Sequence, residues 1–353
     1  MKELRGLLLI DDLEKVDNSE EAEKANIKEK SHLEVLILGW NDSSTSNSLG
    51  TAHEVLEALE PNPNLKHLHI RGYKGYISPS WFMPFAVHNL QILELLNCRS
   101  KLFLQSIGQL NFLSRLCLYR VDVRIDISDE VTILFPALEV LDMRYASVVF
   151  EGMSSSLSSQ RCSSFPRICC IVYQYCYGDG FKLPWQMFST VQNLHITCSQ
   201  ELYDHFSRRL ILLKNLSIHS GTMVSFVGEI NTFKALSHLS FHGCHELTSI
   251  RGLHYMSSLC SLEINYCSKF TSWLSKGMEQ GALPQNLDYI CIQNCPELEP
   301  LPMWLPFLPS LKRLKIANCS LIQSWPKEDG LPSLKSLHQL RPIVHGMVLR
   351  RGF

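Results

Sequence analysis

A six-residue pattern, apolar-x-x-apolar-x-apolar, recurs along the chain and constrains the fold more than any other feature. It runs as Leu33–Leu36–Leu38, Leu65–Leu68–Ile70, Leu90–Leu93–Leu95, Leu113–Leu116–Leu118 and Leu138–Leu141–Met143. It continues as Ile168–Ile171–Tyr173, Val191–Leu194–Ile196, Leu213–Leu216–Ile218 and Leu236–Leu239–Phe241. Leu259–Leu262–Ile264, Leu287–Ile290–Ile292, Leu311–Leu314–Ile316 and an incomplete Leu334–Leu337 complete the series. Successive starts lie 22 to 32 residues apart. Within each unit the apolar-x-apolar core has the period of two that a β-strand imposes, so two side chains point inward and the one between points out. About twenty residues then return the chain to the next strand. No unit can bury its apolar row alone, so neighbours must stack and their strands pair in parallel. At ~4.8 Å per strand, thirteen strands make an arc on the order of 60 Å.

Cysteine placement fixes the register further. Cys98, Cys176, Cys244, Cys267, Cys295 and Cys319 each fall eight residues after the first apolar position of their unit. Asn or Cys at that place, turned inward beneath the strand end, completes the consensus of a leucine-rich repeat. The expected fold is therefore an α/β repeat solenoid, a leucine-rich repeat horseshoe with a parallel concave sheet and an irregular convex side. Pro136, Pro166, Pro184, Pro284, Pro302, Pro309 and Pro332 punctuate the return segments, which predicts loops and short 3₁₀ turns there. Two stretches read as helix: 18–30, with Asn18 as cap and Glu21 three residues on, and 52–61, with Val55, Leu56 and Leu59 on one face before Pro61. The repeat domain is expected over residues 1–340, with 341–353 as a non-repeat tail.

Charge and motifs narrow the function. The chain of 353 residues has 33 basic and 34 acidic side chains, too balanced for a global field that attracts nucleic acid or an anionic membrane. The balance hides an asymmetry, since residues 1–60 carry 14 acidic and 6 basic groups and the remainder 20 and 27. No apolar run approaches the ~20 residues of a membrane span. The apolar stretch near the N-terminus stops at Ile10 before Asp11 and Asp12, too short for a signal peptide, so a cytoplasmic location is expected. On that reading the Asn-x-Ser sequons at Asn41, Asn215 and Asn318 stay unused.

Thirteen cysteines without a Cys-x-x-Cys pair read as reduced thiols and not as a zinc site. His53-Glu54 lacks the second His of a metalloprotease helix, and His245-Glu246 fails the same test. Gly178-Asp179-Gly180 has no lysine and reads as a turn, and the Ser-rich 154–164 reads as a loop. His67, His69, His195, His219, His238 and His242 take outward strand positions, where exposed polar residues of every kind are tolerated, and no carboxylate is placed by sequence to orient them.

The stretches "LRGLLLIDDLEKVDNSEEAEKANIKEKSHLEVLILGW" (4–40) and "HEVLEALEPNPNLKHLHIRGYKGYISPSWF" (53–82) resemble the leucine-rich repeat region of plant intracellular nucleotide-binding disease resistance proteins of the coiled-coil class. The Cys-x-x-Leu and Leu-Pro elements of 236–340 are similar to the same family. The resemblance implies a non-enzymatic recognition module that binds a pathogen-derived or host protein and restrains the nucleotide-binding module of the intact receptor. It also implies an ADP/ATP site in that other module. No Gly-x-x-x-x-Gly-Lys-Ser/Thr sequence occurs here, so no cofactor is expected. Alternative readings are a substrate adaptor of a ubiquitin ligase and a non-functional truncated receptor fragment.

Outward residues with large area or directional donors are the candidate partner contacts: Trp40, Arg71, Tyr119, Arg144, Tyr145, Glu263, Tyr266, Tyr289, Arg313 and Lys315. Because the phosphate-cradling loop is missing, the purified chain is expected neither to bind nor to hydrolyse ATP. Stoichiometric nucleotide binding in a calorimeter would contradict this.

Overall fold

The computed structural model describes residues 4–41, 49–75, 78–98, 101–104, 107–126, 133–151, 165–177, 183–229, 232–272, 284–298, 301, 304–322 and 339–343. The Ser-rich segment 154–164 and Gly178-Asp179-Gly180 lie outside them. The chain forms two compact units, Met1–Phe188 and Ser189–Phe353.

In the first unit the strands are β1 (Gly6–Ile10), β2 (Leu33–Gly39), β3 (His67–Arg71), β4 (Ile92–Leu96), β5 (Lys101–Leu104), β6 (Arg115–Tyr119), β7 (Asp122–Asp126), β8 (Val140–Arg144), β9 (Ser147–Glu151) and β10 (Cys170–Gln174). The main sheet has the order β1-β2-β3-β4-β6-β8-β10, parallel throughout. Each strand pairs with the next repeat at equivalent positions, as in Leu68↔Leu93↔Leu116↔Leu141↔Ile171. Every residue of that row is at most 1 % exposed.

The second unit follows the same scheme with β11 (Asn193–Ile196), β12 (Asn215–His219), β13 (Ser225–Val227), β14 (His238–His242), β15 (Ser249–Arg251), β16 (Ser261–Asn265), β17 (Tyr289–Gln293), β18 (Arg313–Ala317) and β19 (Gln339–Ile343). Its main sheet runs β11-β12-β14-β16-β17-β18-β19. The rows Leu216, Leu239, Leu262, Ile290, Leu314 and Ile218, Phe241, Ile264, Ile292, Ile316 are buried. Burying each such side chain contributes about 1.5–3 kcal/mol.

Four features depart from the sequence reading. Strand β1 precedes the first recognised repeat. Its register sets Leu8 beside Leu36 and Ile10 beside Leu38, and a shift between Gly6 and Leu7 puts Gly6 opposite Leu33, at the place of the first apolar residue, which hides the pattern. At the other end, β19 pairs Leu340 with Leu314 and crosses residue 340, where the repeats were expected to stop. There Pro342 stands opposite Ile316, so the alternating signature is broken. The return segments carry the expected 3₁₀ turns, for example Ile107–Gln109 and Leu253–Tyr255, but also regular parallel pairing. β5, β7 and β9 form a three-stranded sheet, and β13 pairs with β15.

The helices are shorter or shifted. α1 is Ser19–Glu23, with the Glu21 amide donating to Asn18 Oδ1 at 2.9 Å and Glu21 reaching back to the Asp17 amide. It ends early because Asn26 turns left-handed, and Lys30 donates to the carbonyls of Ala25 and Asn26. α2 is Leu49–Ala58, and it buries Val55 and Leu56, with Leu59 buried just beyond its end. α3 (Gln200–Phe206) begins at Ser199, whose hydroxyl oxygen accepts from the Leu202 amide.

Below the strands, Phe135, Phe165 and Phe188 pack in a row with centroids 5.0 and 5.1 Å apart. Beyond the strand ends lie the repeat cysteines. Cys98, Cys244 and Cys295 donate to Ile70, Ile218 and Ile264 carbonyls, one repeat back. Cys176 does the same to Met143, though it is only half-buried. Each thiol thus finds a backbone acceptor in the preceding repeat, as a buried polar group requires. Burial pushes the Cys98 thiol up to about 12.

Leu262→Ala is expected to cost about 2–5 kcal/mol through lost contacts and a cavity. Leu262→Asp is expected to be worse, because an unpaired carboxylate would enter the shared row. Denaturant melts check both. A wild-type midpoint for Leu262→Asp would show that the register is misassigned.

Candidate functional site

The outward faces of the two main sheets are built from three rows per unit, set by the alternation of each strand. In the first unit one row is His69, Glu94, Cys117 and Asp142, on β3, β4, β6 and β8. Glu94 Oε2 lies 3.0 Å from His69 Nδ1 and 3.3 Å from His67 Nε2. A carboxylate therefore does stand within ion-pairing distance of these two rings, contrary to the expectation from sequence. It comes from the adjacent repeat, 25 residues after His69, and zero-offset register alone brings it there. Burial, then the Glu94 and Asp142 carboxylates, raise the Cys117 thiol to about 12, so it stays protonated near neutrality.

Arg144 forms two bonds to Asp142 on its own strand, at 2.8 and 3.0 Å. Arg71 reaches Asp11 at 2.5 Å. Both are exposed ion pairs with modest worth, and neither guanidinium is a free donor.

Beside these rows stands a column of rings. Tyr145 and Tyr175 stack at 5.0 Å and 12°, and Tyr119 meets Tyr145 edge-on at 5.6 Å. The Arg120 guanidinium lies 5.4 Å from the Tyr119 ring and 5.5 Å from the Tyr145 ring. Tyr119 and Tyr145 were singled out from the sequence; Arg120 and Tyr175 were missed. The signal was available in the repeat register, because Arg120, Tyr145 and Tyr175 occupy one equivalent position, directly after the strand.

That position has left-handed backbone in repeat after repeat: φ is 49° at Arg120, 50° at Tyr145 and 52° at Tyr175. Gly72, Asn97, Gly243, Asn294 and Asn318 hold it elsewhere, residues suited to positive φ. A bulky side chain there costs about 1–2 kcal/mol. Ring stacking offsets about 0.5–1.5 kcal/mol per pair.

Trp40 occupies the equivalent place in its repeat, but its φ is not positive. The strand alternation therefore continues through it and turns the ring inward. Trp40 is 7 % exposed and packs edge-on against Tyr73 at 5.4 Å. It is removed from the candidate contacts. Gly72 is required beside it, because a Cβ there would collide with the Trp40 carbonyl.

In the second unit the outward side chains are mostly amides, hydroxyls and imidazoles. Asn215 Nδ2 donates to Asn193 at 2.5 Å, and Ser240 donates to Ser217 at 3.0 Å. His195, His219, His242 and Tyr266 follow one another with ring centroids 6.5, 5.9 and 5.2 Å apart. Tyr266 is exposed and left-handed, at φ 58°. The Arg313 guanidinium covers the Tyr289 ring at 4.6 Å. Glu263, Cys291 and Lys315 share a register row on β16, β17 and β18. The sequence-chosen residues thus fall into separate groups: Tyr119, Arg144 and Tyr145; Tyr289 and Arg313 with Glu263 and Lys315 close by; Tyr266 with the imidazoles; and Arg71 with Asp11.

Among the described residues no group of His, Cys, Asp and Glu is arranged to hold a metal ion. No helix among them is long and apolar enough to cross a membrane. A parallel sheet built from stacked units of this consensus, with a side chain pattern displayed on its outward face, defines a leucine-rich repeat solenoid with a parallel concave sheet.

Comparison with known proteins supplies the more particular kinship. Residues 1–121 match the R13L1/DRL21 leucine-rich repeat family. The disease resistance protein RGA4 of Solanum bulbocastanum is 27 % identical over 74 % of this chain and 24 % of its own length. The RPP13-like disease resistance protein 1 of Arabidopsis thaliana is 28 % identical over 84 % of this chain and 30 % of its own. Among solved structures, an internalin of Listeria monocytogenes covers 92 % of this chain and 77 % of its own at 15 % identity, with a TM-score of 0.42. The sequence is similar to that leucine-rich repeat family over residues 1–121 and to plant disease resistance proteins over a longer stretch, and it spans less than a third of the length of those two relatives.

The His67–His69–Glu94 group generates a pH dependence. Burial lowers the His69 pKa below its ordinary 6.5, against the pull of Glu94 and with help from His67 and Arg71. The unfolded chain therefore takes up this proton more readily than the folded one. Its contribution is intact above about pH 6.5 and is lost as pH falls through the folded value. Denaturation midpoints at pH 7.5 and 5.5 are expected to differ less for His69→Gln than for wild type; equal differences would refute the assignment.

Proposed function

We propose that this chain is a non-enzymatic protein-recognition module of a plant immune receptor, acting in the cytoplasm. Its partner is a pathogen-derived or host protein, bound on the outward face of the parallel sheet. In a longer receptor the same region restrains a nucleotide-binding module. The observation that supports this best is the outward pattern itself. Tyrosines, arginines and carboxylates are set at equivalent positions on strands whose inward side chains are locked in a shared core. Strand-borne side chains hold their geometry better than loop-borne ones, so they can present a fixed chemical pattern to a partner. Tyr and Arg supply most of the pattern, and they dominate the energetics of protein interfaces. The similarity to disease resistance proteins supports the immune setting.

The experiment combines alanine at Arg144, Tyr145, Glu263, Tyr266, Arg313 and Lys315. Each surface change is expected to alter stability by within about 1 kcal/mol. Binding to a secreted pathogen protein or to a receptor's nucleotide-binding module, measured by surface plasmon resonance, is expected to weaken at least tenfold. Exchanging the signs of Glu263 and Lys315 is expected to hurt more than truncation, because repulsion replaces lost attraction. A partner bound normally by these variants, but lost on changes to the return segments, would overturn the assignment.

A further inference from the structure

In the second unit, four successive repeats place a cysteine at the buried position that follows the strand exit. Cys244, Cys267, Cys295 and Cys319 come just after β14, β16, β17 and β18, which pair at zero offset, so the four form one column. All four are free thiols and at most 2 % exposed. Packing does not ask for sulfur there, since Tyr73, Val121 and Ala146 fill the same buried place in the first unit.

The thiols meet one another. Cys267 shares hydrogen bonds with Cys244 on one side and Cys295 on the other, and Cys295 shares one with Cys319. Cys98 and Cys176 stand differently, because Tyr73 and Val121 flank the first in its column and Ala146 precedes the second. Among the described residues no such group is arranged to hold a metal ion, so the chemistry left to contacting thiols is pairing. Register-equivalent residues on neighbouring strands stand about 4.8 Å apart. That lies inside the Cα separation of about 4.4–6.8 Å that a disulfide spans. Their Cβ atoms run side by side at much the same spacing, wider than the roughly 3.5–4.5 Å of a relaxed disulfide. A bond closed here is therefore strained and easily reduced.

We propose that this column is a reversible oxidation site, at which a peroxide links Cys244 to Cys267 and Cys295 to Cys319. One thiol of each pair attacks hydrogen peroxide, breaks its O–O bond, becomes a sulfenic acid and releases water. Its neighbour then attacks that sulfur; the S–O bond breaks, the S–S bond forms and a second water leaves. Each pair gives up two hydrogens and two electrons, and one peroxide is reduced to two waters. Linking each end of the column to its neighbour uses all four thiols, whereas a Cys267–Cys295 bond would strand the other two. Burial shields the thiols and makes the reaction slow. It proceeds when a repeat opens locally, exposes one thiol and recloses it onto its neighbour. This chemistry goes beyond the recognition role and does not depend on it.

The test treats the reduced full chain with excess hydrogen peroxide, alkylates the remaining thiols and locates linked peptides by mass spectrometry. The links expected are Cys244–Cys267 and Cys295–Cys319, together a loss of four hydrogens, and dithiothreitol is expected to restore all four thiols. Cys295→Ser should keep the first link and lose the second, for a loss of two hydrogens. Cys98→Ser should keep both. The wild-type chain alone decides the proposal, so poor folding of a variant does not shelter it. A Cys267–Cys295 link, oxygen addition to these thiols without a link, or four thiols unchanged under excess peroxide would each overturn it. A link to Cys98 or Cys176 would also overturn it, because that pairing arises only in unfolded chains.

Discussion

Each short strand finds its hydrogen-bond partners only in neighbouring repeats, and the rest of the structure depends on that. Parallel pairing at zero offset, such as Leu239↔Leu262↔Ile290, makes every position of the repeat a column through the unit. Inward columns become continuous apolar rows. Outward columns become rows of chemistry whose members are far apart in sequence. Glu94 beside His69, and Tyr175 on Tyr145, are consequences of register and not of local sequence. The same coupling means that damage to one inward residue is shared by its neighbours, since no repeat has a private core.

The backbone at the strand exit decides whether a column faces in or out. Where the residue after the strand is left-handed, the alternation is broken, its side chain turns to solvent, and the next residue drops beneath the sheet. Cys98, Cys244, Cys267, Cys295 and Cys319 take that buried place after Asn97, Gly243, Tyr266, Asn294 and Asn318. In that buried column Cys267 is held above the usual thiol range by hydrogen bonding with Cys244 and Cys295 and by burial. Where φ is not positive, as at Trp40, the alternation runs on and the large side chain enters the core. One torsion angle therefore separates an outward-facing residue from a packing residue at the same repeat position.

This explains what was legible in the sequence. The inward pairs were readable because period-two alternation and a spacing of some two dozen residues are both properties of composition along the chain. Twelve of the inward triplets, from Leu33–Leu36–Leu38 to Leu311–Leu314–Ile316, fall on the strands or strand entries that the structure describes. β1 and β19 were not readable, since Gly6, set opposite Leu33 by a register shift, and Pro342 occupy places where the other repeats carry Leu, Ile or another large apolar residue. The return-side pairing of β5, β7 and β9 left no signature either, because one short strand per repeat lacks a second one to alternate against. Among outward residues, type alone suggested Tyr145 and Trp40 equally, and only the exit torsion told them apart.

Left-handed positions also carry a directional argument about selection. Packing and hydrogen bonding at the strand exit are satisfied by Asn or Gly at lower backbone cost, as other repeats of this chain show. Stacking between Tyr145 and Tyr175 recovers part of that cost, but only when both are present, since neither ring gains the contact alone. Arg120 gains still less, because a cation over two exposed rings is worth about 0.5–1 kcal/mol. A purely structural origin would require several individually unfavourable residues to be retained for a small joint return. Under the recognition role proposed above that difficulty is removed, since a partner would add an attraction that each member of the column feels separately.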